Sequence, residues 1–215
     1  MDWQSKRKVA VFGSWRPEGL SRRAIDWSYQ LGSLIAKAEM ILVTGGSGGV
    51  VLACRRGCRD AGGMNLAVLP DDHISDEMRD QTVVDIAVPT GLGVLGRMPI
   101  LTESADYGIA VGGGAGTLVE VALTYLQRKI VVVVEGLRRR GDPAISRVLT
   151  RRSRVKIAGA TAIRGYLDSK PEYLVRPIHV VNLVSPARAL QIADGLYRAL
   201  GTEPLGPSDV ADRER

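Results

Sequence analysis

The stretch from Tyr107 to Glu120, YGIAVGGGAGTLVE, constrains the fold of this 215-residue chain more than any other part of the sequence. It begins with a short apolar run, which is typical of a parallel strand buried on both faces. Four glycines follow, and they allow a tight turn in which no side chain separates the main chain from a ligand. A helix opened by Thr117 is predicted from Leu118 to Arg128, and its free N–H groups suit an anion such as phosphate. The stretch therefore predicts a phosphate-binding site made of a strand, a glycine turn and a helix.

A second glycine turn follows the predicted strand Met40–Val43 and precedes a helix predicted over residues 50–61. The carboxyl ends of parallel strands meet at one edge of a sheet, so both turns are expected to border one crevice. One turn would bind the phosphate and the other would approach the sugar or base. The first predicted strand, Lys8–Gly13, ends at the same edge. The residues predicted to bind the ligand are Gly13, Ser14, Gly45, Gly46, Gly48, Gly113, Gly114, Gly116 and Thr117.

The spacing of these glycines excludes two widespread nucleotide-binding motifs. No Lys-Ser or Lys-Thr pair follows them, as the nucleoside-triphosphate P-loop requires, and the pattern G-x-G-x-x-G is not met. A glycine turn between a strand and a helix is also a common structural device. A single turn therefore leaves ligand binding and simple packing both open, and the convergence of two turns favours ligand binding.

The other predicted strands and helices fit a single domain. Further strands are predicted at residues 65–69, 83–88, 129–135 and 179–183, and further helices at 22–38, 143–149 and 187–200. The glycine-containing stretch at residues 89–96 is expected to lead into a helix that carries Arg97. This alternation predicts an α/β fold, with a Rossmann-like, doubly wound and mostly parallel sheet of about seven strands in a three-layer αβα arrangement. Residues 1–200 are expected to form this domain, and residues 201–215, rich in Pro, Gly and charge, are expected to be a disordered tail.

The composition limits the binding partners and the cellular location that we expect for this protein. No apolar run approaches the length of a membrane span and no signal peptide is apparent, so we expect a cytoplasmic protein without a membrane partner. Cys54 and Cys58, the only cysteines, lie four residues apart on one predicted helix and suit neither a disulfide framework nor a zinc site. No metal site is predicted. The net charge of +6 makes nucleic acid conceivable, but with an aromatic content of 5% there are few platforms for stacking bases, so nucleic acid is unlikely.

The block from Arg97 to Glu120 resembles the signature of the Lonely Guy (LOG) family, in which an arginine precedes P-G-G-x-G-T-x-x-E. The match has no gap and covers Arg97, Ser104, Asp106, Gly113, Gly114, Gly116, Thr117 and Glu120. Gly112 stands where LOG enzymes have proline, and Met98 where they often have lysine. The three-glycine form is more similar to a sister branch of the SLOG superfamily, which includes molybdenum-cofactor carrier proteins.

The LOG resemblance implies a phosphoribohydrolase that cleaves a nucleoside 5′-monophosphate into free base and ribose 5-phosphate, with Arg97 and Glu120 as catalytic residues. A carboxylate can stabilise the oxocarbenium-like state of that reaction, and an arginine can hold the nucleotide. The residues alone leave open that Glu120 only favours the first helical turn and that Arg97 is its structural ion-pair partner.

The carrier branch implies instead a protein that holds the molybdenum cofactor, or senses a nucleotide, without turning it over. Both branches imply a phosphate-bearing small-molecule ligand, no required cofactor, and a homodimer or homotetramer. The DNA-processing protein DprA belongs to the same superfamily, and DprA-like nucleic-acid binding is a distant third alternative.

Overall fold

The computed structural model describes residues 4–14, 20–46, 48–71, 84–135, 137, 178–182 and 184–200. Its strands are β1 (Lys8–Gly13), β2 (Ile41–Thr44), β3 (Met64–Leu69), β4 (Ile86–Pro89), β5 (Tyr107–Val111), β6 (Ile130–Glu135) and β7 (Ile178–Asn182). Its helices are α1 (Arg22–Lys37), α2 (Gly49–Asp60), α3 (Gly93–Gly96), α4 (Met98–Glu103), α5 (Ala115–Leu126) and α6 (Pro186–Leu200). Within these described ranges, no helix combines the length and the apolar character that crossing a membrane requires.

The seven strands form one sheet in the order β4-β3-β2-β1-β5-β6-β7, and all neighbouring strands are parallel. The chain runs outward from β1 to β4 and then returns to the other side of β1 with β5. This is the doubly wound, Rossmann-like topology that the sequence predicts. In such sheets the strand order reverses at one point, and ligands bind in the crevice outside the carboxyl ends of the strands there. In this protein the reversal lies at β1.

Helices cover both faces of the sheet and complete the three layers. On one face, Leu31 of α1 and Val50 of α2 pack into an apolar cluster that also includes residues of α6. On the other face, Leu101 of α4 and Val121 of α5 pack into a second cluster. Alternate residues of β1 belong to the two clusters, as expected for a strand with both faces buried. The two cysteines are free and buried in the first cluster.

Two predictions near the site are wrong in detail. The helix after β5 begins at Ala115, so Thr117 lies inside its first turn and does not open it. The reason is that Gly114 is the last residue of the turn with a non-helical backbone, at φ −115°. Arg97 lies at the junction of two short helices rather than within one, because Pro99 favours a new helical start directly after it.

Some predictions concern residues outside the described ranges. These are residue 83 of the fourth predicted strand, which begins at Ile86 in the structure, residue 183 of the last predicted strand, the helix at 143–149 and the tail at 201–215. The division into one domain over residues 1–200 and a tail stays a prediction.

Candidate functional site

The predicted ligand-binding residues lie at the carboxyl ends of three neighbouring strands. Gly13 ends β1 and Ser14 follows it, Gly45, Gly46 and Gly48 lie between β2 and α2, and the other glycine turn follows β5. Neighbouring strands are about 4.8 Å apart and β1 lies between β2 and β5, so the two turns are about 10 Å apart. The structure thus brings both predicted turns to one edge of the sheet, at the point where the strand order reverses.

The turn after β5 is built around Gly113. Its φ of +103° favours glycine, and a Cβ at this position would collide with the Oγ1 of Thr117. The Thr117 side chain is itself buried, with 4% exposure. Thr117 therefore packs against the turn from within the first turn of α5 and holds the Gly113 backbone close to the helix.

The N-terminus of α5 is open to a ligand. Its N-cap, Gly114, makes no side-chain cap hydrogen bond, and a Cβ on Gly114 would meet no heavy atom within 4 Å. The next glycine, Gly116, follows in the first turn of the helix. By contrast, the N-terminus of α2 is already engaged, because the Val50 N–H donates to the Ser14 carbonyl at 3.0 Å. Of the two helices, α5 is therefore the better site for an anion.

Arg97 and Glu120 form a buried pair beside these turns. Each is 7% exposed, and Nη2 of Arg97 lies 3.9 Å from Oε1 of Glu120, which is longer than a hydrogen bond. The Arg97 guanidinium rests against Gly45, where a Cβ would overlap its Nη1 atom. Glu120 is the sixth residue of α5, so a preference for the first helical turn does not explain it. Arg97 thus links the turn after β2 to a carboxyl group on α5.

Burial has the largest effect on the pKa values of this pair. It raises the pKa of Glu120 to about 7, although the positive charge of Arg97 acts in the opposite direction. Burial also lowers the pKa of Arg97, and Glu120 opposes that shift. An arginine nevertheless keeps its proton at neutral pH. Glu120 is therefore close to its midpoint at neutral pH, where a carboxyl group can both take up and release a proton.

The free energy of unfolding of the ligand-free protein is expected to fall by roughly 2–3 kcal/mol between about pH 5 and pH 7 because of Glu120. The unfolded chain loses this proton near the ordinary pKa of 4.5, whereas the folded protein keeps it up to about pH 7. The folded state therefore binds more protons over this interval, and the stability contributed by the neutral carboxyl is lost as the pH rises. Urea unfolding at several pH values should show this fall in the wild type and lack it in Glu120→Gln. The same pH dependence in both proteins would contradict the assignment.

A further buried arginine near the site was not predicted from the sequence. Arg55 of α2 is 3% exposed, and its Nε donates to Oγ1 of Thr44 at 2.7 Å. Thr44 is the last residue of β2, directly before the glycine turn. The sequence does carry a signal for this position, because Arg55 follows Val51 by four residues and precedes Cys58 by three. Helical periodicity therefore puts Arg55 on the apolar face of α2, which a solvated charge would avoid.

Comparisons with known proteins agree with this geometry. A sequence profile of the SLOG cluster4 family matches residues 6–162. An uncharacterized protein of Archaeoglobus fulgidus is 38% identical over 117 residues, which cover 52% of this chain and 74% of that protein.

Two solved structures share this fold. The molybdenum cofactor carrier protein of Chlamydomonas reinhardtii is 28% identical, with 90% of this chain and 99% of that chain covered at a TM-score of 0.61. The molybdenum cofactor binding protein of the phototrophic bacterium Rippkaea orientalis is 27% identical, with 89% and 97% covered at a TM-score of 0.61. The resemblance to SLOG proteins and to their carrier branch is thereby confirmed. The chain belongs to the SLOG cluster4 family.

Proposed function

We propose that this protein binds a phosphate-bearing small molecule, with a nucleoside 5′-monophosphate as the first candidate, in the crevice at the ends of β1, β2 and β5. The observation that carries the proposal is the uncapped N-terminus of α5, where Gly114 borders open space. A phosphate there would accept hydrogen bonds from the first N–H groups of the helix. The proposed contacts are Gly13, Ser14, Gly45, Gly46, Gly48, Gly113, Gly114 and Gly116, with Thr117 supporting the turn.

Arg97 suits the same ligand. Its Nε and Nη1 atoms are buried and have no hydrogen-bond acceptor among the described residues. A buried donor without an acceptor is costly, and an arginine that donates to an anionic oxygen forms one of the stronger hydrogen bonds in proteins. A ligand oxygen in the crevice would offset that cost. Arg97 is therefore proposed to hold the ligand.

For a nucleoside 5′-monophosphate we propose hydrolysis of the N-glycosidic bond, with Glu120 as the catalytic carboxylate. A water oxygen attacks C1′, the C1′–N bond breaks, and its electron pair leaves with the base, which takes up a proton from solvent, while the proton that the water loses returns to solvent through Glu120. Glu120 accepts the proton of the attacking water and stabilises the positive charge that develops on the ribose. Its pKa of about 7 supports this role, because the ionised form is available at neutral pH.

The alternative is a carrier of the molybdenum cofactor, and two observations favour it. Both solved relatives are named for carrying or binding that cofactor, and Gly112 and Met98 depart from the LOG pattern. In this alternative the cofactor is cargo, its phosphate binds at α5, and Arg97 and Glu120 contact it without chemistry. The unpartnered donors of Arg97 suit an anionic cargo equally well.

A panel of nucleoside 5′-monophosphates separates the two functions. The purified protein is incubated with each compound and assayed for free base, with Glu120→Gln as the control. Release that falls by about 100-fold or more in the variant would establish the hydrolase. No release, together with tight binding of a monophosphate or of the molybdenum cofactor, would establish the carrier. Failure of the wild type to bind any of these compounds would contradict the proposal.

We also propose a homodimer or homotetramer. Large exposed apolar residues lie on and around the helices next to the site, and they are Leu92, Val94, Leu95, Ile100, Val119 and Leu126. Leu95 is 71% exposed and Leu126 is 69% exposed, which is unusual for such side chains. A second copy of the chain that covers them would remove this surface from water.

Leu126→Glu is expected to shift the assembly toward monomers without unfolding the chain. A charge at an apolar interface opposes association, while Leu126 is too exposed to contribute much to the core. Sedimentation velocity measures the mass. The control is Gln30→Glu, which adds the same charge at an exposed position of α1 and should leave the assembly intact. A wild-type protein that sediments as a monomer would rule out the proposed oligomer.

A further inference from the structure

Arg55 carries a buried charge that the described residues leave unpaired. Its Nη2 atom has no hydrogen-bond acceptor, and among the described residues no carboxylate lies within ion-pair distance of its guanidinium. Arg97, by contrast, has the carboxyl group of Glu120 at 3.9 Å. A buried ion costs several kcal/mol unless a partner compensates it. Arg55 therefore lacks an anionic partner that would offset the cost of burying its charge.

The guanidinium of Arg55 lies at the end of β2, next to the ligand crevice. Its Nε is held by Thr44, and the following residue, Gly45, lies against Arg97. Side chains on a helix lean toward its N-terminus, so Arg55 leans from the second turn of α2 toward the glycine turn. Burial, and to a smaller extent the positive charge of Arg97, lower the pKa of Arg55 to about 10. The two arginines are therefore close enough for their charges to interact, and both remain protonated at neutral pH.

The charges at this end of the crevice do not balance. Among the described residues, the carboxyl group of Glu120 is the only one paired with either guanidinium group, that of Arg97 at 3.9 Å, and it is only partly ionised at neutral pH. The excess positive charge is between one and two units. A phosphate at the N-terminus of α5 would lie at the other glycine turn, which the strand order places two strand spacings, about 10 Å, from the end of β2.

We propose that Arg55 is an anion-binding residue of the crevice, and that the ligand carries a second anionic group which Arg55 and Arg97 bind at the end of β2. This inference rests on the proposed function and narrows its ligand class. The class comprises molecules with a phosphate at one end and another anionic group about 10 Å away. A nucleoside 5′-monophosphate would occupy the site at α5 and leave the site at Arg55 free.

Equilibrium dialysis with radiolabelled inorganic phosphate counts these sites in the full-length protein. The wild type is expected to bind two phosphate ions per chain, Arg55→Met one, Gly114→Val one, and the double variant none. Arg55→Met has a similar volume without the charge, so it should unfold at the same or a higher temperature than the wild type. Arg55→Lys keeps the charge but loses the fork of donors, so it should bind the second phosphate about tenfold more weakly.

The outcomes distinguish this inference from the function on which it rests. Two phosphates bound with unchanged affinity by Arg55→Met and Arg55→Lys would overturn it, and a lowered unfolding temperature in those variants would then identify Arg55 as purely structural. A single phosphate that Gly114→Val removes and Arg55→Met retains would overturn the inference and leave the proposed function standing. No phosphate bound by the wild type would contradict both.

Discussion

Gly114→Val is expected to abolish the binding of nucleoside 5′-monophosphates while the protein stays folded. A Cβ at this position meets no atom within 4 Å, so the surrounding structure leaves room for the added side chain. The two methyl groups would then fill the space beside the first N–H groups of α5, where the phosphate is proposed to bind. Isothermal titration calorimetry should show a loss of affinity of at least about 100-fold, or roughly 2.7 kcal/mol.

The matched control is Gly195→Val on α6. A Cβ on Gly195 also meets no atom within 4 Å, and this glycine lies on a helix that contributes nothing to the crevice. The control should fold and bind like the wild type. Gly113→Val is not a substitute for Gly114→Val, because the strained backbone and the collision with Thr117 would damage the turn itself. Unchanged affinity in a folded Gly114→Val protein would refute the phosphate site.

Gly45→Ala should weaken ligand binding by about 10- to 100-fold through its effect on Arg97. The added methyl would overlap the Arg97 guanidinium and crowd the side chain of Leu101. Both groups are the far ends of flexible side chains, so the fold can accommodate the change by moving them. Arg97 would then leave its position between Gly45 and Glu120. Calorimetric affinity and thermal unfolding measure the two effects separately.

A double-mutant cycle shows whether Arg97 carries the effect of Gly45→Ala. Arg97→Met should weaken binding as much as Gly45→Ala does, and the double variant should be no worse than either, because both remove the same contact. Gly195→Ala serves as the control for the added methyl group. Additive losses in the double variant would show that Gly45 acts on the ligand independently of Arg97.

Much of the fold follows from local sequence. The apolar run before Gly112, the glycines after it and the apolar periodicity of α1 each depend on residues close together in the chain. Their order along the sequence determines the alternation of strands and helices and hence the parallel sheet. The convergence of the two glycine turns also follows, because parallel strands end at the same edge.

The details of the site depend on contacts that the local sequence does not show. Arg97 reaches Gly45 across more than fifty positions of the chain, and no local pattern indicates that contact. The start of α5 depends on the backbone of Gly114 more than on the helix propensity of its first residues. The helical periodicity of α2 indicates that Arg55 lies on the apolar face of the helix. Only the structure shows that no carboxylate among the described residues pairs with it.

The most direct test of the central claim is a crystal structure of the protein with the nucleoside 5′-monophosphate that binds most tightly. The account predicts the phosphate at the first turn of α5, beside Gly114, with Arg97 contacting the ligand. A phosphate bound elsewhere on the molecule, or a crevice that stays without ligand in crystals of a protein that binds the compound in solution, would contradict the account.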